Sequence, residues 1–303
     1  MPQMEKFPWR TGRRRAYAKI NLYLDVGPGR ADGYHTVETV MQSISLHDDI
    51  RVLLRPAREA TVSLRVWGAR LPTDGRNLAF RAAEAYLRAL GRPLDVRITL
   101  RKTLPVAAGL AGGSSNAAAV LLAMNDALGR PLSSDALLSL AADLGSDVPF
   151  CLLGGTRLCR GRGEVTEPLS PARGLFVVVA VGGRERVSTP AAFARMDTYY
   201  HCFDGSVPHG GDLPALLGAL GAGELPRVGV DLLYNAFEPV ILPGCPVAAS
   251  LRERLLSLGA FSAHMSGSGP SVFGLFRTEV AAREAAAAIG RGAWYAVPVP
   301  ENK

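Results

Sequence analysis

Pro105-Val106-Ala107-Ala108-Gly109-Leu110-Ala111-Gly112-Gly113-Ser114-Ser115-Asn116 is the stretch of this 303-residue chain on which its architecture turns. Ahead of it, Val96–Arg101 reads as a strand; behind it, Ala117, Val120, Leu121, Met124 and Leu128 recur at helical spacing until Gly129. A glycine-rich turn just before a helix brings bare backbone N–H groups to the positive end of the helix dipole, which makes a ready anion site. Ser114 and Ser115 add hydroxyls, as donors or as a ligand for a phosphate-bound metal, and the alanines at 107, 108 and 111 keep bulk off one face. The same pattern suits a flexible loop or a close-packed helix start. It is neither G-x-x-x-x-G-K-[ST] nor G-x-G-x-x-G.

Upstream, Lys19 to Val26 alternate, so Lys19 and Asn21 share the polar face of a strand whose other face carries Ile20, Leu22, Leu24 and Val26. Asp32-Gly33 signals a turn into Tyr34-His35. Further strands are expected at Ser43–Leu54 and Thr61–Trp67, and a helix over Asn77–Leu90 that stops at Gly91. Downstream, a helix capped by Ser133, Ser134 or Asp135 carries Leu137, Leu140, Ala141 and Leu144 and ends at Gly145. Pro149 favours an extended Val148, which puts Asp147 in a short turn between that helix and an apolar strand, Phe150–Leu153. An aspartate there is either an ordinary helix-exit residue or chemistry, and Lys19 is either solvated or catalytic.

In the second half, a strand is expected at Leu175–Val181 and helices near Thr189–Met196, Asp212–Leu220 and Val247–Leu258. The end reads strand (Phe261–Met265), turn (Ser266-Gly267-Ser268-Gly269-Pro270), strand (Val272–Phe276), helix (Glu279–Ile289) and strand (Ala293–Val299), a ferredoxin-like order. Ser266–Pro270 is a tight hairpin turn or a second loop facing phosphate or substrate. Tyr199–Gly211 reads as a surface loop.

Composition narrows the class. The chain is 48% hydrophobic and 20% charged, which suits a folded protein with a sizeable core. No run approaches the ~18 apolar residues of a membrane span, and no signal-peptide core follows the basic start, so no membrane is expected and the cytoplasm is the expected compartment. Cys151, Cys159, Cys202 and Cys245 are scattered and form no C-x-x-C pair, which suits reduced thiols; His201, Cys202 and His209 lack zinc spacing. The net charge of +7 is spread over many segments, which suits a polyanionic small substrate or a solvated surface better than nucleic acid.

Three of these segments form a recognisable set. Ala18-Lys19-Ile20-Asn21-Leu22, Pro105 to Ser115 and Ser266–Pro270 resemble the three motifs of the galactokinase, homoserine kinase, mevalonate kinase and phosphomevalonate kinase (GHMP) superfamily. Ala31-Asp32-Gly33-Tyr34-His35-Thr36, Arg76-Asn77-Leu78 and Asp147-Val148-Pro149-Phe150 are similar to its members that phosphorylate the 2-hydroxyl of 4-diphosphocytidyl-2-C-methyl-D-erythritol, in the non-mevalonate route to isoprenoid precursors. The resemblance covers essentially the whole chain. It implies an α+β, two-domain GHMP-kinase fold: an ATP-binding domain over residues 1–168, a ferredoxin-like domain over 169–303, and a cleft between them.

The resemblance also implies roles. Asp147 matches the catalytic base and Lys19 its partner; Asn21 matches a substrate contact. Tyr34 and His35 match a cytosine pocket, Phe193 its second stacking ring, with Thr189 close by. ATP is the co-substrate, cradled by Pro105, Val106, Ala107, Ala108, Gly109, Leu110, Ala111, Gly112, Gly113, Ser114 and Ser115, with Asn77, Lys102 and Asn116 as neighbouring contacts. Mg²⁺ is the expected cofactor, and the chain is expected to be a monomer or homodimer with a small-molecule substrate and no nucleic-acid partner. Tyr17 stands where proline is commoner, and Asn235-Ala236 where Asn-Asp is usual. A homoserine or mevalonate kinase, or a basic RNA-binding module, are the alternatives; neither needs Tyr34-His35 and Phe193 together with Asp147.

Overall fold

The computed structural model of the chain describes residues 8–30, 33–183, 187–202, 210–223, 225 and 232–302. The chain falls into two compact units: residues 1–17, 47–104 and 112–152 in the first, and 18–46, 105–111 and 153–303 in the second. Two long strands, β1 (Arg10–Gly29) and β2 (His35–Pro56), contribute residues to both. Each extends well beyond the alternating stretch that marked it, because both of its faces are buried over much of its length.

In the first unit, β2 pairs antiparallel with β4 (Leu94–Arg101), and β3 (Thr61–Trp67) pairs parallel with β4. Ile50, Val52 and Leu54 of β2 and Val96, Ile98 and Leu100 of β4 form the inward face. α1 (Leu78–Leu90) lies against β3 and β4, and α2 (Gly112–Ala127) and α3 (Ser134–Leu144) pack on α1 and on each other. Asn77 caps α1 by accepting from the Ala79 N–H, left-handed Gly91 ends it, and Ser133 caps α3. The outward face gathers arginines from separate segments, and Trp9 carries Arg55 and Arg97 at 4.4 and 4.5 Å from its ring centroid.

The expected strand at Phe150–Leu153 is instead a short helix, α4 (Val148–Leu153). Pro149 sits in its first turn, where a missing N–H costs nothing, and the Cys151 N–H donates to the Asp147 carbonyl at 3.0 Å. A short run buried throughout does not reveal its period, so proline's bias on Val148 was the only cue, and it yielded to packing.

In the second unit, β5 (Thr156–Arg160) pairs with β2 and with β6 (Val165–Pro168), while β8 (Tyr234–Asn235) pairs parallel with β1. A separate antiparallel sheet has the order β11-β7-β10-β9, from β7 (Phe176–Ala180), β9 (Ser262–Met265), β10 (Val272–Phe276) and β11 (Ala293–Ala296). The helices are α5 (Thr189–His201), α6 (Leu213–Ala222), α7 (Glu238–Ile241), α8 (Pro246–Ser257) and α9 (Glu279–Ile289). With α8 before β9 and α9 between β10 and β11, this is the expected ferredoxin-like layer. Of the expected loop at Tyr199–Gly211, the first residues close α5, and 203–209 lie outside the described residues, as do Ala31 and Asp32 of the expected turn.

Asn125 fixes the joint between α2 and α3. Its Oδ1 accepts from the fully buried Tyr86 hydroxyl at 2.9 Å and the Leu132 N–H at 3.1 Å, and its Nδ2 donates to the Leu132 carbonyl at 3.0 Å. Burial pushes the Tyr86 phenol up to about 12, so it stays a donor. Asn125→Ala should cost about 3 kcal/mol, because it strands several groups, and Tyr86→Phe only about 1 kcal/mol. Paired chemical-denaturation curves check the ranking.

Candidate active site

Lys19 and Asn21 do share one face of β1, but that face is buried, with both residues under 5% exposed. Lys19 Nζ donates to Asn21 Oδ1 at 2.6 Å. The same oxygen accepts from the Gly267 N–H at 2.9 Å, while Asn21 Nδ2 donates to Thr39 Oγ1 at 2.8 Å and that hydroxyl donates to the Tyr23 carbonyl. Asn21 therefore orients the amine and ties β1 to the Ser266–Pro270 turn.

The first part of the glycine loop joins the same cluster. Lys19 N–H donates to the Leu110 carbonyl at 3.3 Å, Ser266 Oγ to the Gly109 carbonyl at 3.1 Å, and Ser271 Oγ to the Ala108 carbonyl. At Gly109 (φ +74°) a Cβ would collide with the Ser266 carbonyl oxygen, so this glycine serves loop-to-loop approach. Asn235 supports the turn from behind, donating to the Met265 and Gly267 carbonyls at 2.7 and 2.9 Å and accepting from the Phe237 N–H. Ala236, where an aspartate is usual, is buried among Leu24, Phe237 and their apolar neighbours. The first and third motifs and the opening part of the second, up to Leu110, thus meet within the second unit.

A ring pocket lies in that unit as well. His35 stacks on Phe193, centroids 4.8 Å apart and planes 27° apart, and its Nε2 lies 2.8 Å from Asp197 Oδ1. A carboxylate only accepts, so Nε2 carries the proton and Nδ1 of the neutral ring is an acceptor. Thr189, Phe193 and Asp197 recur every four residues along one face of α5, and Thr189 Oγ1 pairs with Ser268 Oγ at 3.2 Å. Tyr34 is half exposed, with the Arg162 guanidinium 4.9 Å from its ring centroid.

The first unit holds the remaining candidates. Gly112 to Asn116 form the opening turn of α2; Ser115 is buried and its hydroxyl donates back to the Gly112 carbonyl at 3.1 Å, while Ser114 and Gly113 stay accessible. Lys102 and Asn116 are buried and both donate to Asp48. Asn77 spends its side chain on the α1 cap and on the Pro72 carbonyl. Asp147 is partly exposed at the head of α4. Pro105, Val106 and Ala107, in the second unit, are at least partly exposed. Among the described residues no group of three or more His, Cys, Asp or Glu could hold a metal.

Reading the residues alone missed Asp48, Asp197, Thr39 and Asn235 as supports. Two left a signal: Asp48 lies on the inward face of β2 in phase with Ile50 and Val52, and Asp197 follows Phe193 by one helical turn.

The chain is similar to known proteins over most of its length. Residues 77–155 match the family described as GHMP kinases N terminal domain, and 216–296 the GHMP kinases C terminal. A 4-diphosphocytidyl-2-C-methyl-D-erythritol kinase of Pelotomaculum thermopropionicum is 44% identical over 90% of this chain and 91% of its own length. One of Gloeobacter violaceus is 42% identical over 88% of this chain and 86% of its own. The crystal structure of a 4-(cytidine 5'-diphospho)-2C-methyl-D-erythritol kinase superposes with a TM-score of 0.76 at 36% identity, covering 94% of this chain and 98% of that one. A homoserine kinase from Cytophaga hutchinsonii, 22% identical with a TM-score of 0.72 over 100% of this chain and 98% of its own, shares the fold.

Ala107 and Ala111 hold φ near +54°, a left-handed conformation that suits glycine. Ala107→Gly should leave stability unchanged or raise it by up to about 1 kcal/mol, whereas Gly109→Ala should lose about 2–4 kcal/mol. Thermal melts of the two variants separate relief of strain from collision.

Proposed function

Because the chain belongs to the 4-diphosphocytidyl-2-C-methyl-D-erythritol kinases of the GHMP superfamily, we infer that it moves the γ-phosphate of ATP to the 2-hydroxyl of 4-diphosphocytidyl-2-C-methyl-D-erythritol. The chain is an ATP-dependent small-molecule kinase, and the phosphorylated product lies on the non-mevalonate route to isoprenoid precursors. The observation that carries the reading is the convergence of Lys19, the Ala108–Leu110 carbonyls and the Ser266–Ser271 turn in one hydrogen-bonded cluster.

Phosphoryl transfer asks a protein for positioning and charge neutralisation more than for covalent help. Asp147 accepts the proton of the 2-hydroxyl; the oxygen attacks the γ-phosphorus, the bond to the bridging oxygen breaks, and ADP leaves. The Lys19 ammonium stabilises the developing alkoxide. Pro105 to Ser115 seat the polyphosphate, with Asn77, Lys102 and Asn116 beside it. Mg²⁺ in kinase sites is held mainly by phosphate oxygens and water, which suits a chain with no acidic cluster among its described residues; the Ser114 hydroxyl would be its protein oxygen, and the ion neutralises phosphate charge when bound.

For the acceptor, Tyr34 and Phe193 stack the cytosine and Thr189 stands close by. The His35 Nδ1 acceptor faces the exocyclic amine, which a uracil lacks. The reading puts its domain boundary at residues 168 and 169, within the stretch between the two family matches at 77–155 and 216–296. No helix among the described residues is long and apolar enough to cross a membrane; the reading takes with it a cytoplasmic enzyme, monomer or homodimer, with no nucleic-acid partner. A homoserine or mevalonate substrate would leave the His35–Asp197–Phe193 pocket without purpose, and an RNA-binding module would leave Asp147 without one.

A coupled ADP-release assay with the cytidylyl alcohol, homoserine and mevalonate in parallel tests the reading, which predicts turnover of the first alone. Asp147→Asn should lower kcat by about 10²–10⁴-fold while ATP affinity holds. Tyr34→Ala should raise KM for the cytidylyl substrate about tenfold, from a stacking loss of about 1–3 kcal/mol, and leave the KM for ATP in place.

A further inference from the structure

Asp48 is a fully buried carboxylate with no part in the steps above. It points from β2 into the first unit, among Ile50, Val52 and Leu54. Four donors converge on it. Its Oδ1 accepts the Thr103 and Leu104 N–H groups at 2.7 and 2.9 Å, and its Oδ2 accepts Lys102 Nζ at 2.6 Å and Asn116 Nδ2 at 2.8 Å. Lys102, Thr103 and Leu104 are the last residues before Pro105, and Asn116 stands in the opening turns of α2. One side chain therefore grips the stem that enters the glycine loop and the helix that leaves it.

The cost of this arrangement argues against simple packing. A buried ion pair usually stabilises no better than apolar side chains of the same volume, so its presence calls for another role. The donors are also of a particular kind. Lys102 spends one ammonium hydrogen on Asp48 and retains two; Asn116 retains one N–H and its carbonyl oxygen. Both arms are thus held in fixed orientation with donors to spare. A Cβ on Gly112 would come within 3.1 Å of Lys102 Nζ, so the ammonium lies directly against the first residue of α2. A carboxylate this close to a polyanion site would repel phosphate if its charge were open; here four donors, one of them cationic, absorb it.

We propose that Asp48 is a positioning residue for ATP: it clamps both ends of the glycine loop and sets the orientation of Lys102 and Asn116 toward the phosphates. The proposal rests on the reading of that loop as the ATP seat. Asp48→Asn keeps the shape but turns two N–H groups toward donors, so the loop ends part while the cytidylyl pocket is untouched.

The test is steady-state kinetics with each substrate varied in turn, alongside calorimetric melting. Asp48→Asn should raise KM for ATP by about 10–100-fold, the scale set by losing hydrogen bonds to a charged group, with KM for the cytidylyl alcohol within about twofold of wild type. A purely structural role would lower the melting temperature and the active fraction and leave both KM values unchanged; that outcome overturns the proposal. Should Asp48→Asn fail to fold, the double variant Asp48→Asn/Lys102→Met removes both charges together and serves in its place. If Asp48 acts through Lys102, ATP KM in the double variant should fall well short of the product of the two single effects, or for lack of the first single, within about twofold of Lys102→Met. A double variant that folds with wild-type ATP KM overturns the proposal, as does full multiplicativity. Wild-type enzyme without saturable ATP dependence would instead sink the kinase reading, before any variant is made.

Discussion

The Ser266–Ser271 turn and the Ala108–Leu110 backbone approach each other so closely that only two serine hydroxyls bridge them and a Cβ at Gly109 would collide, and the cluster in the second unit depends on that contact. Ser266 Oγ reaches the carbonyls of both Gly109 and Lys19, at 3.1 and 3.4 Å, and the Gly267 N–H reaches Asn21. Each of these groups is buried or nearly so, and a buried polar group left unpaired costs about 1–3 kcal/mol. The cluster consequently behaves as a unit: removing one bond exposes its neighbours to the same penalty. Asn235 and Thr39 extend the unit by one layer, from β8 and β2, so the Lys19 amine is fixed by regular strands behind a loop surface.

Much of the fold was readable because local signals agreed with it. Alternation marked the middle of β1, strands were expected where β3 and β4 lie, Gly91 ended a helix and Ser133, one of three candidates, capped another, and the closing strand–turn–strand–helix–strand order held. Where tertiary burial overrides local pattern, the reading failed. The polar face of β1 is interior because Lys19 and Asn21 satisfy each other there, and Val148–Leu153 is helical because a run buried on every side has no legible period. The three motifs were legible as a set; their supports were not. Asp48 shows as an oddity on an apolar strand face, but its partners stand 54 to 68 positions away, a distance no local rule spans.

The ring pocket follows the same logic at smaller scale. Thr189, Phe193 and Asp197 are one helix face, so a single element sets a hydroxyl on the turn, a ring under His35 and a carboxylate on its Nε2. A histidine free to switch tautomers would offer a donor or an acceptor with little preference. Asp197 removes that freedom, because a carboxylate against Nε2 can only accept and so fixes the proton there.

The two buried lysines of the motifs show how the chain divides its positive charge. Lys102 is matched by a carboxylate, Asp48, at 2.6 Å. Lys19, buried as deeply, has only the neutral Asn21 amide as its side-chain hydrogen-bond partner among the described residues. A buried ammonium with no counter-ion is costly and survives only where something repays it. In the proposed reaction the γ-phosphate of ATP would do so, arriving with the substrate. On that argument Lys102 carries its counter-charge with it and Lys19 leaves its own to be met, although both are buried amines beside a glycine turn.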